Sequence, residues 1–151
     1  MSFEQLFSSA GFLAMLGWLI LVFLPRGWKW LNPIASILIP LILSFFYSFL
    51  IARYFFSADG GFDSLANVQR LFTYPAVALA GWVHYLAFDL FVGGVIAKKA
   101  DEIGLSRLLQ APVLLLTFMF GPFGYLLFML IKVVMLRLKS VTTESNKATK
   151  A

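Results

Sequence analysis

Four stretches of the chain are apolar almost without interruption, and polar residues collect at their ends. The first runs from about Leu6 to Leu24 and stops at Pro25-Arg26-Gly27, with Trp28, Lys29 and Trp30 behind it. The second opens at Asn32-Pro33 and runs to Phe55, with Pro40 inside it and Arg53 near its far end. The third opens at Tyr74-Pro75, runs to Ala97 and is closed by Lys98-Lys99. The fourth opens at Ala111-Pro112, runs to Leu136 and is closed by Arg137 and Lys139. A helix needs about 20 apolar residues to cross a hydrocarbon core, and each stretch supplies them. None alternates with period two, so barrel strands are excluded. The pattern predicts an all-α membrane protein. Its domain is a four-transmembrane-helix bundle over residues 1–141, followed by a disordered polar tail over residues 142–151.

Proline marks positions inside these runs. Pro33 suits a first helical turn, and Pro40 predicts a kink in the second span. Gly121, Pro122 and Gly124 interrupt the fourth run and predict a helix that bends or opens there. Between spans 2 and 3, Asp59-Gly60-Gly61 signals a turn. Phe62, Leu65, Val68, Leu71 and Phe72 then recur at helical spacing, which predicts a short interfacial helix. With four spans, both termini share one side. That side holds Arg53, Arg70, Arg137, Lys139, Lys147 and Lys150, against Arg26, Lys29, Lys98, Lys99 and Arg107 opposite. The difference is one positive charge and leans toward cytoplasmic termini.

Composition narrows the class further. Hydrophobic residues make up 61% of the 151 residues and charged residues 13%. The mean hydropathy is +0.89. A soluble fold this small has too little interior for that much apolar surface. The net charge of +5 sits at span ends rather than beside aromatic platforms, so a nucleic-acid partner is not expected. The chain has no cysteine and one histidine. That leaves no ligand set for zinc or iron. No phosphate-binding or dinucleotide motif is present, so neither metal nor cofactor is expected. The first ten residues carry one charge, Glu4, and no basic region. The first apolar run is therefore expected to be a retained span rather than a signal peptide. The expected location is multi-pass in a membrane, a bacterial inner membrane above all.

Chemistry concentrates in the third span. It holds His84, the chain's histidine, and Asp89, a carboxylate deep in an apolar run. An aspartate at a helix centre costs about 2.5–3.5 kcal/mol to insert, so it normally faces a bundle interior or cavity. On a helix, Trp82, Tyr85, Asp89 and Gly93 fall within about 80° of arc, while His84 lies about 140° from Asp89. Tyr85 and Asp89 are an i, i+4 pair. Gly93 on that stripe admits close approach of another helix or a ligand.

The run from Trp82 through His84, Asp89 and Gly93 resembles the signature of the ABA4-like family (the DUF4281 group). So does the stretch holding Thr117, Gly121, Pro122 and Gly124. Plant members are chloroplast membrane proteins required to form neoxanthin from violaxanthin. The resemblance implies a membrane or isoprenoid lipid, of carotenoid type, as ligand and partner. It carries Asp89 and His84 as motif positions, and with Tyr85, the i, i+4 partner of Asp89, they are the catalytic candidates of a metal-free intramembrane isomerase. Trp82, Gly93, Thr117, Gly121, Pro122 and Gly124 are then ligand-binding candidates. Opening an epoxide to an allene is an isomerisation that asks for an acid at oxygen and a base at carbon. Two readings stay open beside it: a non-catalytic lipid-binding or assembly subunit, and a small proton-coupled transporter. A homo-oligomer or a partner membrane enzyme fits the assembly reading.

Overall fold

A computed structural model describes residues 2–25, 28 and 30–148, with side chains as far as Ser140. Among the described residues every regular element is helical. The order is α1 (Phe3–Phe23), a short α2 (Leu31–Pro33), a π turn (Ile34–Leu38) and α3 (Ile39–Tyr54). A 3₁₀ turn (Phe55–Ser57), α4 (Leu65–Leu71), α5 (Pro75–Glu102), α6 (Arg107–Phe120) and α7 (Pro122–Ala148) complete it. Three helical segments are long and apolar enough to cross a membrane: Phe3–Phe23, Leu31–Ser57 and Pro75–Glu102. This is membrane-protein architecture.

Local chemistry sets the boundaries. Ser2 and Gln5 form a reciprocal capping box that starts α1. Pro40 has no N–H to give the carbonyl four residues back, and the helix widens into the π turn just before it. Pro75 occupies the first turn of α5. Gly104, at φ +75°, ends that helix. There Leu105 N–H bonds Ala100 O at 2.9 Å and Gly104 N–H bonds Asp101 O at 3.0 Å, a Schellman closure.

The core lies where α5 meets α3 and α1. Leu43 and Leu50 of α3, Val83 and Leu90 of α5, and Leu21 of α1 are all sealed in it. Gly17 lets Leu90 approach α1 closely, and Gly94 does the same for Ser36.

The fourth predicted span is not one continuous helix: residues 111–136 are divided between α6 and α7. α6 is only 14 residues long, about 21 Å. The chain then reverses at Gly121, and α7 runs back antiparallel to α6. Lys139 Nζ donates to Ile103 O at 2.6 Å, which places the middle of α7 beside the start of α6. The reason is local: Gly121 adopts φ +31°, which favours glycine, and Pro122 begins a new helix. α7 continues to Ala148, since no proline or glycine follows Gly124 to stop it. Residues 149–151 lie outside the described residues.

The connection from Ser57 to Thr73 does contain a helix, α4, capped by Ser64. Leu71 is its one buried residue. Its neighbour Phe72 lies against Gly81 of α5, and Asp59 accepts from Tyr74 Oη at 2.9 Å.

The hairpin redistributes charge. Arg107 donates to Leu24 O at 2.8 Å, so the ends of α1 and α5 and the beginning of α6 share one end of the bundle. Lys98, Lys99, Arg107, Arg137 and Lys139 stand at this end. Arg53 and Arg70 stand at the other, where Phe3 meets Tyr54 edge to face.

Candidate functional site at a hairpin apex

Asp89 is the fifteenth of 28 residues in α5 and sits at mid-depth of the bundle. It is 9% exposed. Its Oδ2 is buried and has no hydrogen-bond partner among the described residues. Along the stripe predicted for α5, Asp89 and Gly93 are buried and Tyr85 reaches the hairpin, while Trp82 is exposed. At Gly93 an added Cβ would lie 2.6 Å from the Trp18 ring. Trp18 in turn meets Phe118 of α6 edge to face at 5.5 Å.

The hairpin turns against the carboxylate. A Cβ on Gly121 would overlap the carboxylate of Asp89. Only a residue without a side chain brings the backbone so close. The first N–H groups of α7 have no carbonyl within their own helix, so its positive end lies beside Asp89. Irregular backbone at such depth is tolerated where protein buries it.

Tyr85 secures the other strut. Its Oη lies 3.1 Å from the carbonyl oxygens of Phe118 and Met119 and donates to that pair. These are terminal carbonyls of α6, which lack helical partners. The Tyr85 hydroxyl is thus engaged by the hairpin as well as standing one turn from Asp89. Thr117 is fully buried and bonds Val113 O at 2.8 Å. Gly124 lies over Thr117 with no room for a Cβ. Thr117, Gly121, Pro122 and Gly124 therefore build the turn itself.

Above the apex the bundle is incomplete. α6 and α7 stop at mid-depth, and a groove of about 320 Å³ opens between α1 and α5. Phe7, Ala78 and Trp82 line it, with Glu4 at its rim. Trp82 is stacked between Phe7 at 5.4 Å and Tyr85 at 5.5 Å. It is 40% exposed. Phe7, Trp18 and Phe118 complete this region and have no signal in the sequence beyond being aromatic.

His84 is elsewhere. It stacks on Phe88 at 4.6 Å and meets Tyr47 at 5.3 Å. It lines a separate pocket of about 330 Å³ that Phe62, Leu71 and Phe72 of the α3–α5 connection help enclose. Asp89 and His84 lie on different faces of α5, and no described pocket joins them.

Among the described residues no cluster of histidine, aspartate and glutamate has metal-ligand geometry. What the arrangement defines is a helical membrane protein in which a half-depth hairpin closes over a carboxylate whose Oδ2 has no hydrogen-bond partner among the described residues. The chain matches the ABA4-like family, described as ABA DEFICIENT 4-like, over residues 5–128. It belongs to that family. It matches no curated protein and no solved structure.

Proposed function

We propose that the chain binds a long isoprenoid lipid of carotenoid type in the groove between α1 and α5, and that Asp89 acts on it. The single observation behind this is the free, buried Oδ2 of Asp89. An unmatched carboxyl at the centre of a membrane is costly, and such groups mark working sites. The groove lies on the same helical stripe, and its stacked Phe7 and Trp82 offer aromatic faces to a polyene.

The reaction is an isomerisation. Asp89 gives its proton to an epoxide oxygen as the C–O bond opens, and its carboxylate then takes a proton from an adjacent carbon. One carboxyl serves both steps, and no net proton, electron or water is consumed. His84 is not required, in keeping with its place on another face. In this reading α6 and α7 form a re-entrant hairpin that enters and leaves a bacterial inner membrane by one face.

A second reading is favoured by the Trp82–Tyr85 stack, which stands between the groove and Asp89. It makes the chain a lipid-binding or assembly protein that presents substrate to a partner enzyme. Extraction of the purified full chain followed by mass spectrometry of its lipids tests the shared premise. An isoprenoid lipid at near one copy per chain, lost in Trp82→Ala, is expected. Recovery of phospholipid alone overturns it.

A further inference from the structure

The face of α5 opposite the hairpin carries a second, longer groove. Near the basic end, an opening of about 440 Å³ lies between the start of the second crossing and the end of α5. Asn32, Ser36 and Lys98 supply its polar lining. A further opening of about 250 Å³ continues it toward mid-depth, past Ser44 and Ala87 to Phe88. Ile37 and Phe91 line both, so the two form one channel along the α3–α5 seam.

The groove follows from backbone and residue size. The π turn lies just before Pro40 on one wall, and the small residues Ser36, Ser44, Ala87 and Gly94 leave the floor of the groove unfilled. From Lys98 to Phe88 the groove extends about 15 Å along α5, at 1.5 Å per residue. Phe88, Phe91, Ile37 and Leu41 flank it and stay about half exposed or more.

Its two ends differ chemically. The deep end is apolar. The shallow end holds the ammonium of Lys98, which has no ion pair among the described residues, and the Asn32 amide. This is the same end of the bundle that gathers Lys99, Arg107, Arg137 and Lys139. Lys98 is the cation among the described lining residues, and an apolar groove with a cation at its mouth matches one amphiphile: an anionic head joined to an acyl chain.

We propose that this seam is a binding site for an anionic glycerophospholipid, with its phosphate at Lys98 and Asn32 and one acyl chain lying past Phe91 to Phe88. The site is independent of Asp89 and lies on the far side of α5 from it. A lysine near the surface contributes about a fivefold gain in affinity for an anionic lipid.

Native mass spectrometry of the detergent-solubilised full chain, with dioleoyl phosphatidylglycerol or dioleoyl phosphatidylcholine added, tests it. One phosphatidylglycerol should be retained about fivefold more strongly than phosphatidylcholine. Lys98→Gln should abolish that preference, and Lys99→Gln, one position away but outside the lining, should preserve it. Ser44→Phe, which fills the seam below the head, should weaken retention of both lipids. Asp89→Asn should leave retention unchanged. Equal retention of the two lipids by the wild type overturns the proposal, as does an equal effect of Lys99→Gln. Displacement of phosphatidylglycerol by millimolar inorganic phosphate overturns it too, because the site would then be for free phosphate.

Discussion

Gly121 sets its backbone directly against the carboxylate of Asp89, in a space where no Cβ fits. The contact joins the two motif regions of the sequence, 32 positions apart, at one point in the middle of the bundle. It also explains why the turn uses glycine: φ is +31°, and any side chain would strike the acid.

Gly121→Ala therefore combines backbone strain with an overlap at Asp89. The strain alone costs about 1–3 kcal/mol. The unfolding temperature of the detergent-solubilised protein should fall. Adding Asp89→Ala should recover the part due to the overlap, a coupling of about 0.5 kcal/mol or more in a double-mutant cycle. Strict additivity would contradict the contact.

Tyr85→Phe removes the donor that serves the Phe118 and Met119 carbonyls. The loss should be about 0.5–1.5 kcal/mol. Hydrogen exchange should quicken around the α6–α7 turn rather than across α1 and α3. Unchanged exchange there would contradict a capping role for Tyr85.

The hairpin predicts an orientation. It puts five described basic residues at one end of the bundle against two at the other, so the Lys98 end faces the cytoplasm. The chain has no native cysteine, so single cysteines report cleanly. In intact cells a membrane-impermeant maleimide should label Asp63→Cys and spare both Glu102→Cys and Ser140→Cys. Labels on opposite sides at 102 and 140 would restore a complete fourth span.

His84→Ala should lower turnover by less than tenfold, because His84 packs on Tyr47 and Phe88 away from Asp89. A general base would lose about 10²–10⁴-fold. Rates measured at saturating substrate decide between them.

Much of this was legible in the residues. The apolar runs ending in Leu24, Phe55 and Ala97 locate the three long helical segments. The i, i+3, i+7, i+11 spacing of Trp82, Tyr85, Asp89 and Gly93 assigns them one face of α5. The interruption at Gly121-Pro122 was legible as well, but its size was not. A bend and a full reversal differ only in the dihedral angles of Gly121, and the 26 residues from Ala111 to Leu136 have the length and composition of one crossing. That one angle moves Arg137 and Lys139 to the opposite end and turns a nearly even charge count into a strong bias. Contacts such as Phe7 on Trp82 depend on the relative height of α1 and α5, which no local pattern encodes.

Conversion by Asp89→Asn tests the central claim most directly. Membranes containing equal amounts of wild-type or variant full chain are supplied with an epoxide-bearing carotenoid such as violaxanthin, and the pigments are separated by chromatography. Wild type should form a product of unchanged mass in which the epoxide has opened. Asp89→Asn, inserted and folded to the same extent, should form none. Product formed by Asp89→Asn at the wild-type rate, or by neither protein, would contradict the account.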